Sequence, residues 1–190
     1  MSRAVTASTL LLALLALGCA QQEPTPSEDH TSATQTQAPL GPTHAIAVLT
    51  PAEGSEVHGT LLLEETAEGV RVTGQVTGLA PGSAHGFHIH EYGDMTATDG
   101  TSLGSHYNPG NAEHALPEQD VEKHKGDFGN ITADDNGVAA IDKTFGGVKV
   151  QEVLGRGIVI HADPDDGSQP TGNAGGRIAF GIIGIANVGS

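Results

Sequence analysis

The chain is short of the residues that most often staple, anchor or charge a small protein. Its 190 residues include one cysteine, Cys19, so no disulfide can form within the chain. Tryptophan is absent and aromatic residues make up only 3% of the sequence, while 27 Gly and 10 Pro punctuate it densely. That balance argues against a helical bundle and for many short strands joined by turns. Basic residues are scarce, with 8 Lys and Arg against 23 Asp and Glu for a formal net charge of -15, and they form no cluster. Nucleic-acid binding is excluded on that ground. The acidity favours solubility and repels anions at long range, so a basic residue beside a functional site gains weight. The apolar run Leu10–Leu17 is too short for a permanent membrane span.

What the chain holds in excess is histidine: ten in all, seven of them between His85 and His161. Clustering of this kind points to metal. Any one of them taken alone reads equally well as a surface residue.

Met1 to Cys19, with one positive charge at Arg3 before the apolar run, reads as an export signal. Its end, Ala16-Leu17-Gly18-Cys19, resembles the lipobox of bacterial lipoproteins, in which the cysteine becomes a lipid-modified first residue. On that reading Cys19 anchors the protein to a membrane of the cell envelope, facing the periplasm or the exterior. Cleavage after Ala20 is the alternative, and would leave a soluble periplasmic or secreted protein. Residues 20–43 are rich in Gln, Thr, Ser and Pro with little to bury, and are expected to be a disordered tether. The folded domain is expected over residues 44–190.

From His44 onward, short apolar or alternating runs are separated by turn residues. The spacing predicts strands at Ala45–Leu49, stopped by Pro51, and at Val57–Glu65 and Val70–Val76, the last two forming a hairpin through Ala67-Glu68-Gly69. Further strands are expected around His88, over Phe128–Ala133 and Val138–Phe145 about an Asn136-Gly137 turn, and over Gly157–His161 and Arg177–Ile185. The result is an all-β, eight-stranded antiparallel domain. Its two long irregular stretches, Gly93–Asp127 and Ala162–Gly176, begin or end with candidate ligands, as functional loops often do.

His88 and His90 stand two residues apart on an expected strand, so both project to one side while Phe87 and Ile89 project to the other. His106, His114, His124 and Asp127 lie in a loop with little apolar material to hold it. Three imidazoles and one carboxylate form a closed tetrahedral set suited to zinc. His161, ending the strand Ile158-Val159-Ile160, adds a further imidazole on the side of His88 and His90, and imidazole-rich accessible sites suit copper.

Four ordered motifs then carry a resemblance: Gly86-Phe87-His88-Ile89-His90-Glu91-Tyr92-Gly93-Asp94, His106-Tyr107-Asn108-Pro109, His124-Lys125-Gly126-Asp127-Phe128-Gly129-Asn130 and Gly172-Asn173-Ala174-Gly175-Gly176-Arg177. Together they resemble the copper/zinc superoxide dismutases from about His44 to Ile185. The resemblance implies a Greek-key β-barrel or sandwich that disproportionates superoxide to oxygen and hydrogen peroxide. It makes His88, His90, His106 and His161 copper ligands, and His106, His114, His124 and Asp127 zinc ligands, with His106 bridging the two metals and handling a proton in catalysis. It implies that Asp165 links a copper ligand to a zinc ligand, that Arg177 guides and holds the anion, and that His85 is structural. A homodimer is compatible with it, through a surface the sequence does not identify.

The chain also departs from the family's pattern. Most members join the loop after the His-x-His strand to the last strand by a disulfide, and the matching positions here are Gly100 and Phe180. The loop must then be held by zinc and packing, so the metal-free protein is expected to be soft. The segment between His161 and Arg177 is short and carries Asp163, Asp165 and Asp166 with no Lys, which weakens the case for efficient steering. A non-enzymatic metal-binding protein on the same scaffold is the competing reading, but the chain keeps every ligand and Arg177.

Overall fold

Alternation along the first three strands sets the inner face of the molecule. A computed structural model describes residues 41–188; the expected signal segment, Cys19 and most of the tether lie outside the described residues. Strand β1 (His44–Pro51) turns Ala45, Ala47 and Leu49 inward, β2 (His58–Glu65) Leu61 and Leu63, and β3 (Val70–Thr77) Val70, Val72 and Val76. Then come β4 (Ala84–His90), β5 (Asp127–Thr132), β6 (Ala139–Phe145), β7 (Gly157–His161), β8 (Arg177–Ile182) and the two-residue β9 (Gly184–Ile185). The ladder order is β5-β4-β7-β8-β1-β2-β3-β6, with β9 on β1 and every pairing antiparallel. The two end strands, β5 and β6, are consecutive in the chain, so the sheet curls into a nearly closed barrel. One aliphatic core fills it, around Phe87, Phe128 and Phe145; the last two rings stack with centroids 3.8 Å apart. The all-β, Greek-key expectation holds.

Three details differ from the sequence reading. Pro51 does not stop β1: the ladder with β2 ends at Leu49, and Thr50 and Pro51 pair with Phe180 and Ala179 of β8. At Pro51 there is no β2 residue opposite to need a backbone N–H, which is where a strand tolerates proline. The last strand is interrupted at Ile183, whose backbone turns to Gly155 and Arg156 and whose side chain is buried. The turn after β5 is tight, but only Gly137 takes a positive φ, at 75°, and Asp134 accepts the backbone N–H groups of Asn136 and Val138. The strands it joins pair with different neighbours, β5 with β4 and β6 with β3.

Candidate metal centre

Strand β4 is buried on both faces. Phe87 and Ile89 enter the core, while His88 and His90 face outward beneath two loops that cover them, leaving them 0% and 2% exposed. Backbone bonding delivers the first loop's ligands to this strand. Tyr107 donates its N–H to Ile89 O at 2.8 Å, Ile89 donates to Gly126 O at 2.9 Å, and His106 forms a bridge with His90. His106 and Asp127 are thereby set beside the strand by main chain alone. His161 arrives on the adjacent strand, where β7 pairs with β4.

The side chains converge in two groups of four, His88, His90, His106 and His161, and His106, His114, His124 and Asp127, with ligand atoms in each group within 4.8 Å of one another. His106 belongs to both. In the second group the Nδ1 atoms of His106, His114 and His124 lie 2.9, 3.0 and 3.1 Å from a single oxygen, Asp127 Oδ1. The other oxygen, Oδ2, already accepts the backbone N–H groups of Ala115 and His124. The three contacts are close to the edge of roughly 3.3 Å that a tetrahedron of ligands about 2.0–2.1 Å from zinc requires. His114 Nδ1 makes no hydrogen bond to Asp127 despite its distance, so the angle fails rather than the spacing; His88 Nδ1 is likewise buried and without a hydrogen-bond partner. Two orphaned imidazole nitrogens aimed inward are what a donor set built for metal leaves behind. The residues fit a pair of metal ions.

Outward-facing nitrogens are satisfied, which fixes each ring. His90 Nδ1 donates to Gly104 O at 3.0 Å and His161 Nδ1 to Gly175 O at 3.2 Å, leaving Nε2 of each to face the other at 3.3 Å. Asp165 takes His88 Nε2–H on one oxygen at 2.8 Å and His114 Nε2–H on the other at 2.9 Å, and so ties one group to the other. Asn130 holds Asp165 by a reciprocal pair of bonds, donating Nδ2–H to its carbonyl and accepting its N–H. Gly172 makes room: a Cβ there would stand 2.0 Å from Asp165 Oδ1, and its φ of +76° favours glycine. Gln169 clamps the backbone of His114 in both directions.

Burial pushes His161 down to about 3 and His106 to about 4, and holds His90 well below the usual imidazole range. These rings are neutral and ready to ligate. Burial also opposes charge on His114, but Asp127 and Asp165 on its two sides outweigh it and raise the ring to about 9. Burial likewise works against charge on both carboxylates, and their histidine partners prevail and hold them far below the ordinary range.

His90, His106, His161 and Arg177 all line an open cleft of about 600 Å³. The Arg177 guanidinium donates to the carbonyls of Gly100 and Gly104, and Nη2 lies 3.4 Å from His90 Nδ1. Gly100 in turn sits on Phe180: a Cβ at Gly100, whose φ is +74°, would meet that ring at 2.8 Å and Arg177 Cδ at 3.1 Å. Phe180 forms a small core with Ala52, Leu103 and Val159. A glycine seated on a phenyl ring thus stands where most relatives are expected to place a disulfide.

Of the residues singled out in the sequence, His88, His90, His106, His114, His124, Asp127, His161, Asp165 and Arg177 all fall in this one region. His85 lies apart from both groups and is structural, bonding His161 O and the Ser83 hydroxyl. Sequence reasoning missed Asn130, Gln169 and Gly172. Asn130 and Gly172 stand inside the quoted motifs, but Gln169 carries no local signal.

A family model described as copper/zinc superoxide dismutase matches residues 57–183. Among solved structures, that of the clock protein EA4 is 36% identical, with a TM-score of 0.70, and covers 79% of this chain and 99% of its own. With both donor sets assembled and the match running through every strand from β2 to β8, the chain belongs to the copper/zinc superoxide dismutase family.

Proposed function

We propose that this superoxide dismutase binds copper at His88, His90, His106 and His161 and zinc at His106, His114, His124 and Asp127, with His106 shared between them. The membership of His106 in both ligand groups is the observation that carries the reading. The all-imidazole group opens to the cleft beside Arg177, which suits a redox metal that must meet an anion. The three-imidazole, one-carboxylate group has the composition of a closed structural site. When bound, copper supplies the one-electron chemistry that oxidises one superoxide to oxygen and reduces a second to hydrogen peroxide, and zinc supplies charge and a fixed geometry.

The protein's own residues do the rest. Arg177 places a positive charge at the cleft wall and draws the anion in. Its two carbonyl acceptors hold the guanidinium still. His106, fixed through Nδ1 on the zinc side, leaves Nε2 as the atom that holds a proton for the departing peroxide. Asp165 keeps the outer nitrogens of His88 and His114 protonated, so their inner nitrogens face the metals. Purified protein reconstituted with both metals is expected to remove superoxide, and the His161→Ala variant to be inactive. Equal activity in the two would overturn the assignment.

We propose export to the cell envelope with a lipid on Cys19, a soluble periplasmic or secreted form being the alternative. Mass spectrometry of the mature N-terminus separates the two. The domain division of residues 1–19, 20–43 and 44–190 stands with that proposal. A homodimer is supported by exposed Val48, Leu62 and Ile182 on the neighbouring strands β1, β2 and β8. Sedimentation of Val48→Lys against the parent chain tests it, a loss of dimer being expected.

A further inference from the structure

The cleft beside the histidines is lined by two charged side chains besides them, Arg177 and Asp99, together with uncharged Thr101, Ser105 and Thr171 and several glycines. No lysine lines it. In a chain of net charge -15, an anion entering here meets one cation, with one carboxylate beside it.

Asp99 is exposed and lines the cleft. Oδ1 accepts the Thr101 N–H at 2.9 Å and the Thr101 hydroxyl at 2.7 Å, closing a turn that starts the short 3-10 segment Thr101–Leu103. The turn uses one oxygen only. The same Thr101 lines the cleft, and the residue between them, Gly100, gives its carbonyl to Arg177. Thr101 acts most strongly on the Asp99 carboxylate and burial on the Arg177 guanidinium, and beyond these each charge favours the ionised form of the other. The turn needs an acceptor at this position, which an amide oxygen also supplies without the charge.

We propose that Asp99 is a specificity-determining residue of this cleft, an electrostatic brake that partly cancels the attraction of Arg177 for small anions. Superoxide capture and the binding of inhibitory anions are set by the Asp99–Arg177 pair rather than by Arg177 alone. Removing one unit charge several ångströms from the anion's path in a water-filled cleft changes its local concentration by about threefold at low salt. The change is screened away as the Debye length falls below that separation.

The inference rests on the cleft being the anion's route, and its test separates the two. Asp99→Asn keeps Oδ1 for Thr101 and removes the charge. Asp94→Asn is its control, because Asp94 makes the same turn with Thr96 and does not line the cleft. Each is loaded with copper and zinc and compared with the parent in superoxide rate constant, and in azide affinity by visible-absorption titration, at low salt and at high salt. The expected result is a rate constant about threefold higher and azide binding about threefold tighter for Asp99→Asn at low salt. Both differences should vanish at high salt, and Asp94→Asn should match the parent. Unchanged azide affinity in an active Asp99→Asn enzyme overturns the proposal, and so does an equal gain in Asp94→Asn, which would make net charge the cause. A parent protein that binds azide but does not remove superoxide would instead overturn the functional reading.

Discussion

Asp165 serves two imidazoles at once, and its position is defined by Asn130 on one side and the open face of Gly172 on the other. Replacing it by alanine frees both His88 and His114 to rotate and to present a proton where a metal should sit. Metal affinity is expected to fall about 10- to 100-fold, measured by competition with a chromophoric chelator. Gly172→Ala is expected to produce much of the same loss without touching a ligand, because its methyl group would displace the Asp165 carboxylate. Arg177→Ala should leave metal content unchanged and lower the superoxide rate constant about tenfold, with most of its salt dependence gone. At this scale the ligands were legible because imidazoles and carboxylates are scarce, distinctive and spaced by strand geometry. Gln169 was not, because a glutamine clamping a distant backbone looks like any polar loop residue until the fold brings it to His114.

Elements were legible where one face is buried. Alternation marked β1, β2 and β3, and the apolar run before His161 marked β7, since the period of side-chain burial is the period of the strand. What alternation cannot give is the partner of each strand. The turn at Asn136-Gly137 joins consecutive strands, yet those strands belong to opposite ends of the ladder, a relation set by barrel closure. The loop between β4 and β5 is fastened by backbone bonds to Ile89, by Lys125 on Glu152 at 2.7 Å, and by the seat of Gly100 and Leu103 around Phe180. Phe180→Ala should therefore cost about 3 kcal/mol in chemical denaturation from the lost packing. It should also slow the enzyme, because the Gly100 carbonyl would no longer hold Arg177 in place.

For the whole molecule, the metal site joins both long loops to the barrel, so the metals contribute to the stability of the domain as well as to its chemistry. Chelation is expected to lower the melting temperature by about 10 °C or more, read by calorimetry. The chelated protein should also show a distinctive pH profile. Between pH 6.5 and about 4, the unfolded chain protonates its histidines while folded His106 and His161 stay neutral, so stability falls as pH falls. Above pH 6.5, folded His114 keeps a proton up to about 9 that the unfolded chain has released, so stability falls as pH rises. Unfolding midpoints of the chelated protein should thus peak near pH 6.5, the ordinary histidine value. The seat of Gly100 on Phe180 has a consequence for how such a protein matures. A loop pinned by a phenyl ring requires no electron acceptor and no sulfhydryl-oxidising helper, and no glutathione can unpick it. Closure of this loop is therefore indifferent to whether its surroundings are reducing or oxidising.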